Sequence, residues 1–266
     1  MKKQIILLIV TIALLIFQTG CKSVDIAISE RTESPDATAT SDGQCAQEDN
    51  ELSNTDNKTS NHKTEYTLSV DEIGDDEFIS VKTYIPDIVI DLKYATTDNF
   101  TGLKIYDFSD AYLRFGTVKK LAEVQKDLRA SGLGLKIWDA FRPFSSQFRL
   151  WEICPDATYV ANPNTGFSSH SRGNTVDVTL VSTDGNEVQM PTGFDDFSLL
   201  ADRDYSDCDT VAAENAEILE NVMLNHGFRG YSGEWWHYSD TVSYEVEREF
   251  YPPDSCFSDG VSCPEK

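Results

Sequence analysis

Aromatic residues are distributed unevenly along this chain, and that distribution limits where a folded domain can form. No Phe, Tyr or Trp occurs from Lys22 to Glu65, where Ser, Thr, Asp, Glu, Asn and Gln predominate. A segment with so little apolar surface cannot offset the entropy lost on ordering, so residues 22–66 are predicted to be a disordered acidic tether. Residues 67–266 hold every Trp and the long apolar patterns. They are predicted to form a single domain with a full core.

The N-terminus has the pattern of an export signal. Lys2 and Lys3 precede an apolar run over residues 5–17, which is too short to predict a transmembrane helix. Gly20-Cys21 at its end resembles a bacterial lipoprotein signal, although Gln18 stands where that signal usually carries an aliphatic residue. We therefore expect residues 1–21 to be a signal peptide and Cys21 to carry a lipid. The protein would then be extracytoplasmic and membrane-anchored, or secreted if the anchor is absent.

Charge limits the partners that such a protein can have. The formal net charge is −23, with 45 Asp and Glu against 22 Lys and Arg. A surface this acidic repels phosphate backbones and anionic lipid headgroups, so nucleic acid is not expected as a partner. Membrane contact is expected only through the lipid on Cys21. The oligomeric state stays open.

Six cysteines suit an exported chain, because disulfides persist outside the reducing cytoplasm. Cys256 and Cys263 enclose a short polar loop and are predicted to pair. Cys154 and Cys208 are then assigned to each other by elimination, and Cys45 in the tether has no assigned partner. The absence of any C-x-x-C spacing disfavours a zinc ribbon.

Periodicity predicts an α+β domain with a mainly antiparallel sheet packed against helices. The interleaved strands show no βαβ rhythm, and we expect the reactive site in a central cleft. The predicted strands are Phe78–Lys82, Ile88–Leu92, Leu135–Asp139, Thr175–Val181 and Glu234–Tyr238, and the predicted helices are Thr117–Arg129, one beginning near Ser145, and Thr210–Asn225.

Two short segments carry the residue types of a catalytic metal site. His170 lies in Ser-Ser-His-Ser-Arg-Gly, and Asp177 follows within a β-branched run where an unpaired carboxylate would be costly. A metal or an arginine would both satisfy that carboxylate. His237 lies in Glu-Trp-Trp-His-Tyr, so two imidazoles and one carboxylate are available, which is a set that Zn²⁺ takes with a fourth position left open.

Glu234 is a candidate general base, because apolar surroundings raise the pKa of a carboxylate. Residues three apart in a regular strand point to opposite faces. Glu234 and His237 can therefore share a site only if the strand bends. The alternative is a structural aromatic strand in which His237 is buried and hydrogen-bonded.

The other two histidines have simpler interpretations. His226 precedes Gly227 at a predicted helix end, where an imidazolium complements the helix dipole. His62 lies in the tether and is expected to be solvated. No G-x-S-x-G motif is present, so a serine hydrolase is disfavoured.

Together these segments resemble the zinc D-Ala-D-Ala dipeptidases of the VanX type, within the wider group of peptidoglycan D,D-peptidases. The resemblance is carried by the His170 and Glu234 motifs, by Leu-Lys-Tyr-Ala-Thr-Thr-Asp-Asn-Phe-Thr-Gly from Leu92, by Trp-Asp-Ala-Phe-Arg-Pro from Trp138, and by Phe194-Asp195. These motifs occur in family order and span most of the domain.

The resemblance implies a role for each matched residue. One Zn²⁺ would be held by His170, Asp177 and His237, with Glu234 as general base. Arg142 would stabilise the oxyanion of the transition state, with a purely structural ion pair as the alternative. The pocket for a small D,D-dipeptide would be lined by Tyr94, Ser168 and Asp195, with Asp195 pairing with the substrate ammonium unless the acidic neighbour Asp196 takes that place.

Export separates this chain from relatives that act on newly made D-Ala-D-Ala in the cytoplasm. A tethered enzyme outside the membrane is expected to meet dipeptide released from the wall. The alternatives are a D,D- or L,D-carboxypeptidase that trims stem peptides, and a non-catalytic wall-binding lipoprotein.

Overall fold

A computed structural model describes residues 72–255. The predicted signal peptide 1–21, the tether 22–66, Cys45 and the predicted Cys256–Cys263 disulfide lie outside the described residues.

The described residues form strands and helices in mixed order. The strands are Phe78–Ser80 (β1), Val89–Ile90 (β2), Tyr112–Arg114 (β3), Leu133–Asp139 (β4), Thr175–Ser182 (β5), Phe228–Tyr231 (β6) and Glu234–Asp240 (β7). The helices are Val81–Tyr84 (α1), Phe115–Ala130 (α2), Phe144–Ile153 (α3) and Thr210–Asn225 (α4).

Most of the predicted elements are present, and the long ones lie within two residues of their predicted ends. The strand predicted through Lys82 was wrong after Ser80. The Ser80 hydroxyl accepts a hydrogen bond from the Thr83 amide and starts the short helix α1. The short strands β3 and β6 were not predicted, because neither has a clear apolar pattern.

Five strands form the main sheet in the order β2-β4-β5-β7-β6, and β1 and β3 form a separate pair. Every pairing is antiparallel except that of β2 with β4. The predicted α+β class with a mainly antiparallel sheet is therefore confirmed. Helix α2 packs on β4, helix α4 packs on β5, β6 and β7, and the two helices contact each other.

Strand β5 forms the centre of the core. Its first seven residues are all buried, including the apolar side chains of Val176, Val178 and Leu180. Helix α2 covers the sheet with the predicted stripe, whose members are at most 1% exposed: Val118, Leu121, Val124 and Leu128. Burial on both faces gives β5 little freedom to shift its register.

The two strands beside β5 are both irregular. In β4 the pairing with β5 shifts between Ile137 and Asp139, so Trp138 is an extra residue. In β7 the pairing with β6 jumps from Gly230 opposite Tyr238 to Tyr231 opposite Glu234. This irregularity confirms the bend that was predicted between Glu234 and His237.

The predicted Cys154–Cys208 disulfide was wrong, because both side chains are free thiols. Cys154 caps the end of α3 and packs against the core, whereas Cys208 follows a short turn and its sulfur lies 3.4 Å from the carbonyl of Tyr205. Elimination failed because it assumed that every cysteine of the domain has a partner. Within residues 72–255 no helix combines the length and apolar character that crossing a membrane requires.

Gly173 closes the turn that carries His170 and has a φ of +75°. A Cβ at this position would lie 2.4 Å from the ring of Phe78 in β1. The turn can therefore approach the β1–β3 pair only because residue 173 has no side chain.

Gly173→Ala is expected to destabilise the domain by more than the roughly 1–2 kcal/mol that a left-handed conformation costs an L-residue. Gly185→Ala is a matched control, because Gly185 has a φ of +85° but no atom within 4 Å of its virtual Cβ. Chemical denaturation of both variants measures the difference. Equal losses would show that the contact with Phe78 is not restrictive.

Candidate metal centre

A row of three acidic or imidazole side chains crosses the centre of the sheet. Asp177 in β5 lies opposite Asp139 in β4 and opposite His237 in β7. His170 joins them from the 3-10 turn Ser169–Arg172, which precedes β5. Residues distant in sequence therefore meet because three adjacent strands bring them together.

The ligand atoms of His170, Asp177 and His237 converge on one point. The Nε2 atom of His170 lies 3.3 Å from Asp177 Oδ2 and 3.4 Å from His237 Nδ1. His237 Nδ1 lies 3.0 Å from Asp177 Oδ1. Among residues 72–255, this is the one group of three or more His, Cys, Asp or Glu side chains that could hold a metal ion.

Hydrogen bonds on the outer side of each imidazole orient the rings. His170 Nδ1 lies 2.8 Å from the carbonyl oxygen of Ala140, which can only accept, so Nδ1 is the donor and Nε2 is left to face the cluster. His237 Nε2 lies 3.3 Å from the hydroxyl of Ser169. That contact leaves Nδ1 of His237 to face Asp177.

The carboxylate of Asp177 is buried and faces the two imidazoles. Its ion-pair contacts among the described residues are with His170 and His237. No arginine of residues 72–255 pairs with it, although the sequence left that alternative open. Although burial opposes ionisation, the imidazoles lower the pKa of Asp177, so the group stays charged. Two imidazoles and a carboxylate that meet at one point suit a divalent cation such as Zn²⁺.

Glu234 lies beside the cluster without belonging to it. Its Oε2 atom is 3.5 Å from His237 Nδ1, and the bend in β7 brings it to this side of the strand. Burial, reinforced by the negative charge of Asp177, raises the pKa of Glu234. The carboxylate is therefore a better proton acceptor than an exposed glutamate.

Arg142 follows β4 and is held in a fixed position by three partners. Its Nη2 donates to Asp139 Oδ2 at 2.6 Å, and its Nη1 donates to Gln147 Oε1 at 3.0 Å. Its Nε lies 3.3 Å from the hydroxyl of Tyr106. Burial opposes the charge, but Asp139 raises the pKa of Arg142, so the guanidinium is a permanent cation.

Asp195 is an acidic residue with a strained backbone, and it lines the cavity that contains the cluster. It is the one non-glycine residue with positive φ within residues 72–255, at +53°, and its Oδ2 accepts a 2.7 Å hydrogen bond from the Tyr94 hydroxyl. Burial raises its pKa to about 7. The neighbouring Asp196 instead accepts from the Ser198 amide and does not line the cavity. Asp195 is thus the acid that faces the site.

All the residues predicted for the site line one cavity of about 290 Å³. Its volume is at the small end of the range for ligand pockets. The predicted residues on its wall are Tyr94, Arg142, Ser168, His170, Asp177, Asp195, Glu234 and His237. The wall also has aromatic side chains that were not predicted from the sequence, namely Tyr159, Phe167 and Tyr231.

His226 lies away from this cavity. It caps the C-terminus of α4, and its Nε2 is 2.7 Å from Asp127 Oδ2. The predicted capping position is confirmed.

Three supporting residues were missed from the sequence. Asp139 stands three residues before Arg142 in a motif that was noticed, so a buried acid at a strand end was the available signal. Tyr106 and Gln147 had no such signal, because neither belongs to a motif that indicates a functional site.

A cavity that combines a cation site, a nearby base and a fixed guanidinium defines a metallohydrolase. Comparison with known proteins identifies the family of metallohydrolases to which the chain belongs. Residues 74–252 match the peptidase family M15 model, described as D-Ala-D-Ala dipeptidase. The chain belongs to this family and is a peptidase, as the sequence motifs predicted.

Individual relatives agree with that assignment. The D-alanyl-D-alanine dipeptidase of Escherichia coli K12 is 36% identical over 183 residues, which cover 68% of this chain and 93% of the relative. The enzyme of the same name from Enterococcus faecalis V583 is 33% identical, covering 65% and 92%. A solved structure of the D,D-pentapeptidase VanY with Zn(II) is more distant, at 17% identity and a TM-score of 0.33, and covers 50% of this chain and 74% of its own.

Asp195→Asn is expected to stabilise the metal-free protein more near pH 8 than near pH 5. The folded chain raises the pKa of Asp195 to about 7 from an ordinary 3.8, so the folded state holds the proton more tightly than the unfolded state. The free energy of unfolding therefore falls as pH rises from about 4 to about 7. Asn cannot ionise and keeps an acceptor for Tyr94. Thermal unfolding at both pH values checks this, and an equal change at the two would contradict it.

Proposed function

We propose that this protein hydrolyses the free dipeptide D-Ala-D-Ala to D-alanine with one Zn²⁺ held by His170, Asp177 and His237. The observation that carries the proposal is the single small cavity that contains the cation site, the base Glu234 and the acid Asp195. Family membership indicates the substrate, and the cavity explains how it would be held. The product would enter peptidoglycan metabolism.

Glu234 acts as the general base. When bound, Zn²⁺ acts as a Lewis acid that makes a water nucleophilic near neutral pH and polarises the peptide carbonyl. Glu234 accepts the proton of the attacking water and then delivers it to the nitrogen of the leaving D-alanine. Its raised pKa suits both steps, because one carboxyl group must take up a proton and release it again.

Arg142 stabilises the negative charge that develops on the carbonyl oxygen. Asp139 and Gln147 hold the guanidinium before substrate arrives, so little reorganisation is needed as charge develops. The Tyr94 ring lies 5.0 Å from the guanidinium carbon and supports it from one face. Arg142 is thus a fixed electrostatic partner for the transition state.

Asp195 binds the substrate ammonium, and Tyr94 orients it. The Tyr94 hydroxyl occupies one carboxylate oxygen, which leaves the other for the substrate. An ammonium ion favours the charged form of Asp195 and offsets the cost of its burial. Ser168, 6% exposed at the start of the His170 turn, supplies a further polar group to the cavity wall.

The proposed location is outside the cytoplasmic membrane, on a lipid attached to Cys21. The apolar run at residues 5–17 and the Gly-Cys pair support this. The substrate would then be dipeptide released from the wall. Cys21→Ala should move the full-length protein from the membrane fraction to the soluble extracytoplasmic fraction, and a cytosolic native protein would overturn the proposal.

Glu234→Gln is expected to lower kcat by roughly 10²–10⁴-fold, the usual contribution of a general base. Zinc content should stay at one ion per chain, because Glu234 is not in the ligand set. Turnover of D-Ala-D-Ala and metal analysis measure the two quantities. Glu152→Gln, at an exposed position of α3 outside the cavity, is the matched control and should retain activity. Wild-type turnover by Glu234→Gln would refute the assigned base.

N-acetylation of D-Ala-D-Ala is expected to reduce kcat/KM by roughly 10–100-fold, because a hydrogen bond to a buried charge is lost. Asp195→Asn should cleave the free dipeptide poorly and discriminate much less between the two substrates. Steady-state kinetics on both substrates gives the comparison. Equal cleavage of the acetylated dipeptide by the wild type would favour the carboxypeptidase alternative.

A further inference from the structure

On the edge that faces β6, strand β7 lacks regular backbone partners next to Glu234 and His237. Continued pairing with β6 would place Tyr231 opposite His237, but Tyr231 lies opposite Glu234 instead. Residues 235–237 therefore have no partner in the β6–β7 ladder, although His237 stays paired with Asp177 of β5. Buried carbonyl groups in such a segment need other donors.

The guanidinium of Arg203 supplies those donors. Its Nη2 donates to the carbonyl oxygens of Trp235 and His237, at 3.1 and 3.0 Å. Its Nε donates to the carbonyl oxygen of Tyr231 at 2.9 Å. One side chain thus binds both sides of the bulge and takes the place of the missing ladder bonds.

Gly230 in β6 makes room for this arrangement. A Cβ at residue 230 would lie 2.3 Å from the guanidinium carbon of Arg203 and 2.5 Å from its Nε. The guanidinium therefore occupies the space that a side chain on β6 would fill. Its position depends on glycine there.

Contacts on the far side keep the guanidinium in place. Nη1 lies 3.3 Å from Glu220 Oε1 and 3.1 Å from the Tyr238 hydroxyl. The guanidinium carbon is 4.5 Å from the centre of the Tyr238 ring. The side chain is only 12% exposed, so its contacts are not those of a solvated surface arginine.

We propose that Arg203 is a positioning residue for the reaction, and that it holds the bend that brings Glu234 and His237 to the same cavity. In a regular strand these side chains would point to opposite faces. Arg203 does not line the cavity and acts only through the backbone of residues 231–237. The inference rests on the proposed roles of Glu234 and His237.

Arginine suits this position because its planar fork presents several donors in fixed directions, whereas lysine has one ammonium. Arg203→Lys keeps the charge but cannot serve all three carbonyl groups at once. The substitution should loosen the bend, so that Glu234 and His237 are held less precisely in the cavity. Asp195 and Tyr94 lie on other segments, so binding of the substrate ammonium should change little.

The experiment compares Arg203→Lys and Gly230→Ala with wild type in the full chain. We expect kcat to fall at least 10-fold with KM within about twofold, and zinc affinity in chelator competition to fall roughly 10–100-fold. The visible spectrum of the Co²⁺-substituted protein should also change. Gly230→Ala tests the same contact without removing the charge.

A second readout needs neither metal nor substrate. Amide hydrogen exchange over residues 231–237 of the metal-free protein should be faster in both variants. Asp87→Asn is the control for general destabilisation, because it weakens the 2.6 Å Arg129–Asp87 pair outside the cavity. Glu220→Gln, which removes only the outer ion pair, gives a milder variant with a smaller shift in the same direction should the other two fail to fold.

The outcomes separate this inference from the proposed function. If Arg203→Lys and Gly230→Ala lower the melting temperature as Asp87→Asn does but leave the cobalt spectrum, zinc affinity and kcat unchanged, Arg203 is merely structural. If Glu220→Gln alone folds and shows a wild-type cobalt spectrum and exchange rate, the inference is likewise wrong. If Glu234→Gln and His237→Ala retain turnover and zinc, the proposed function itself fails.

Discussion

The site depends on one row of residues across three strands, where β4 is irregular in its pairing with β5 and β7 is irregular in its pairing with β6. Asp177 occupies the regular central strand and is opposite Asp139 and His237. Bulges at Trp138 and at residues 235–237 change the direction of the side chains on either side. Asp139 can therefore support Arg142, while His237 turns toward Asp177. A rigid central strand with two bent neighbours brings a cation site and an oxyanion partner together.

The same arrangement brings three acidic side chains close together in a buried place. Asp177, Asp195 and Glu234 share one cavity, and burial and mutual repulsion raise the pKa of the last two. Asp195 also has a strained backbone, with φ of +53°. A divalent cation and a substrate ammonium would relieve most of this repulsion among the carboxylates. The electrostatic cost of grouping them is therefore one that ligand binding removes. Such strain is expected where a structure is organised for binding rather than for stability.

The sequence allowed the fold class and the metal ligands to be predicted for different reasons. Helices α2 and α4 and strand β5 have strong apolar periodicity, so their positions could be read directly. The ligands His170, Asp177 and His237 were recognisable because a carboxylate inside a β-branched strand needs a partner, and because the motifs around them resemble those of the VanX-type dipeptidases. The spacing of Glu234 and His237 also predicted the bend in β7, because a base and a ligand three residues apart cannot share a face of a regular strand.

Other features could not be predicted, because they depend on contacts between distant segments. Arg203 lies in an acidic loop with no periodicity. Its contacts with the carbonyl groups of β7 depend on the register shift between β6 and β7, which the sequence does not show. Tyr106 and Gln147 support Arg142 through contacts that no local pattern encodes. The Cys154–Cys208 pairing was wrong because a count of cysteines contains no information about their separation.

An aromatic cluster beneath the site explains how its separate parts stay in register. Trp138, the extra residue of β4, packs against Trp235 in the bulge of β7, with ring centres 5.6 Å apart. Phe194 contacts Trp138 and Tyr94 at the same spacing and immediately precedes Asp195. The two bulges and the strained loop are thus packed onto one another. Trp235 and Trp236 of the bulge are both buried in this cluster. Arg203 binds that bend through its carbonyl groups while the tryptophans fill the core beneath it, so backbone and side chains favour the same geometry.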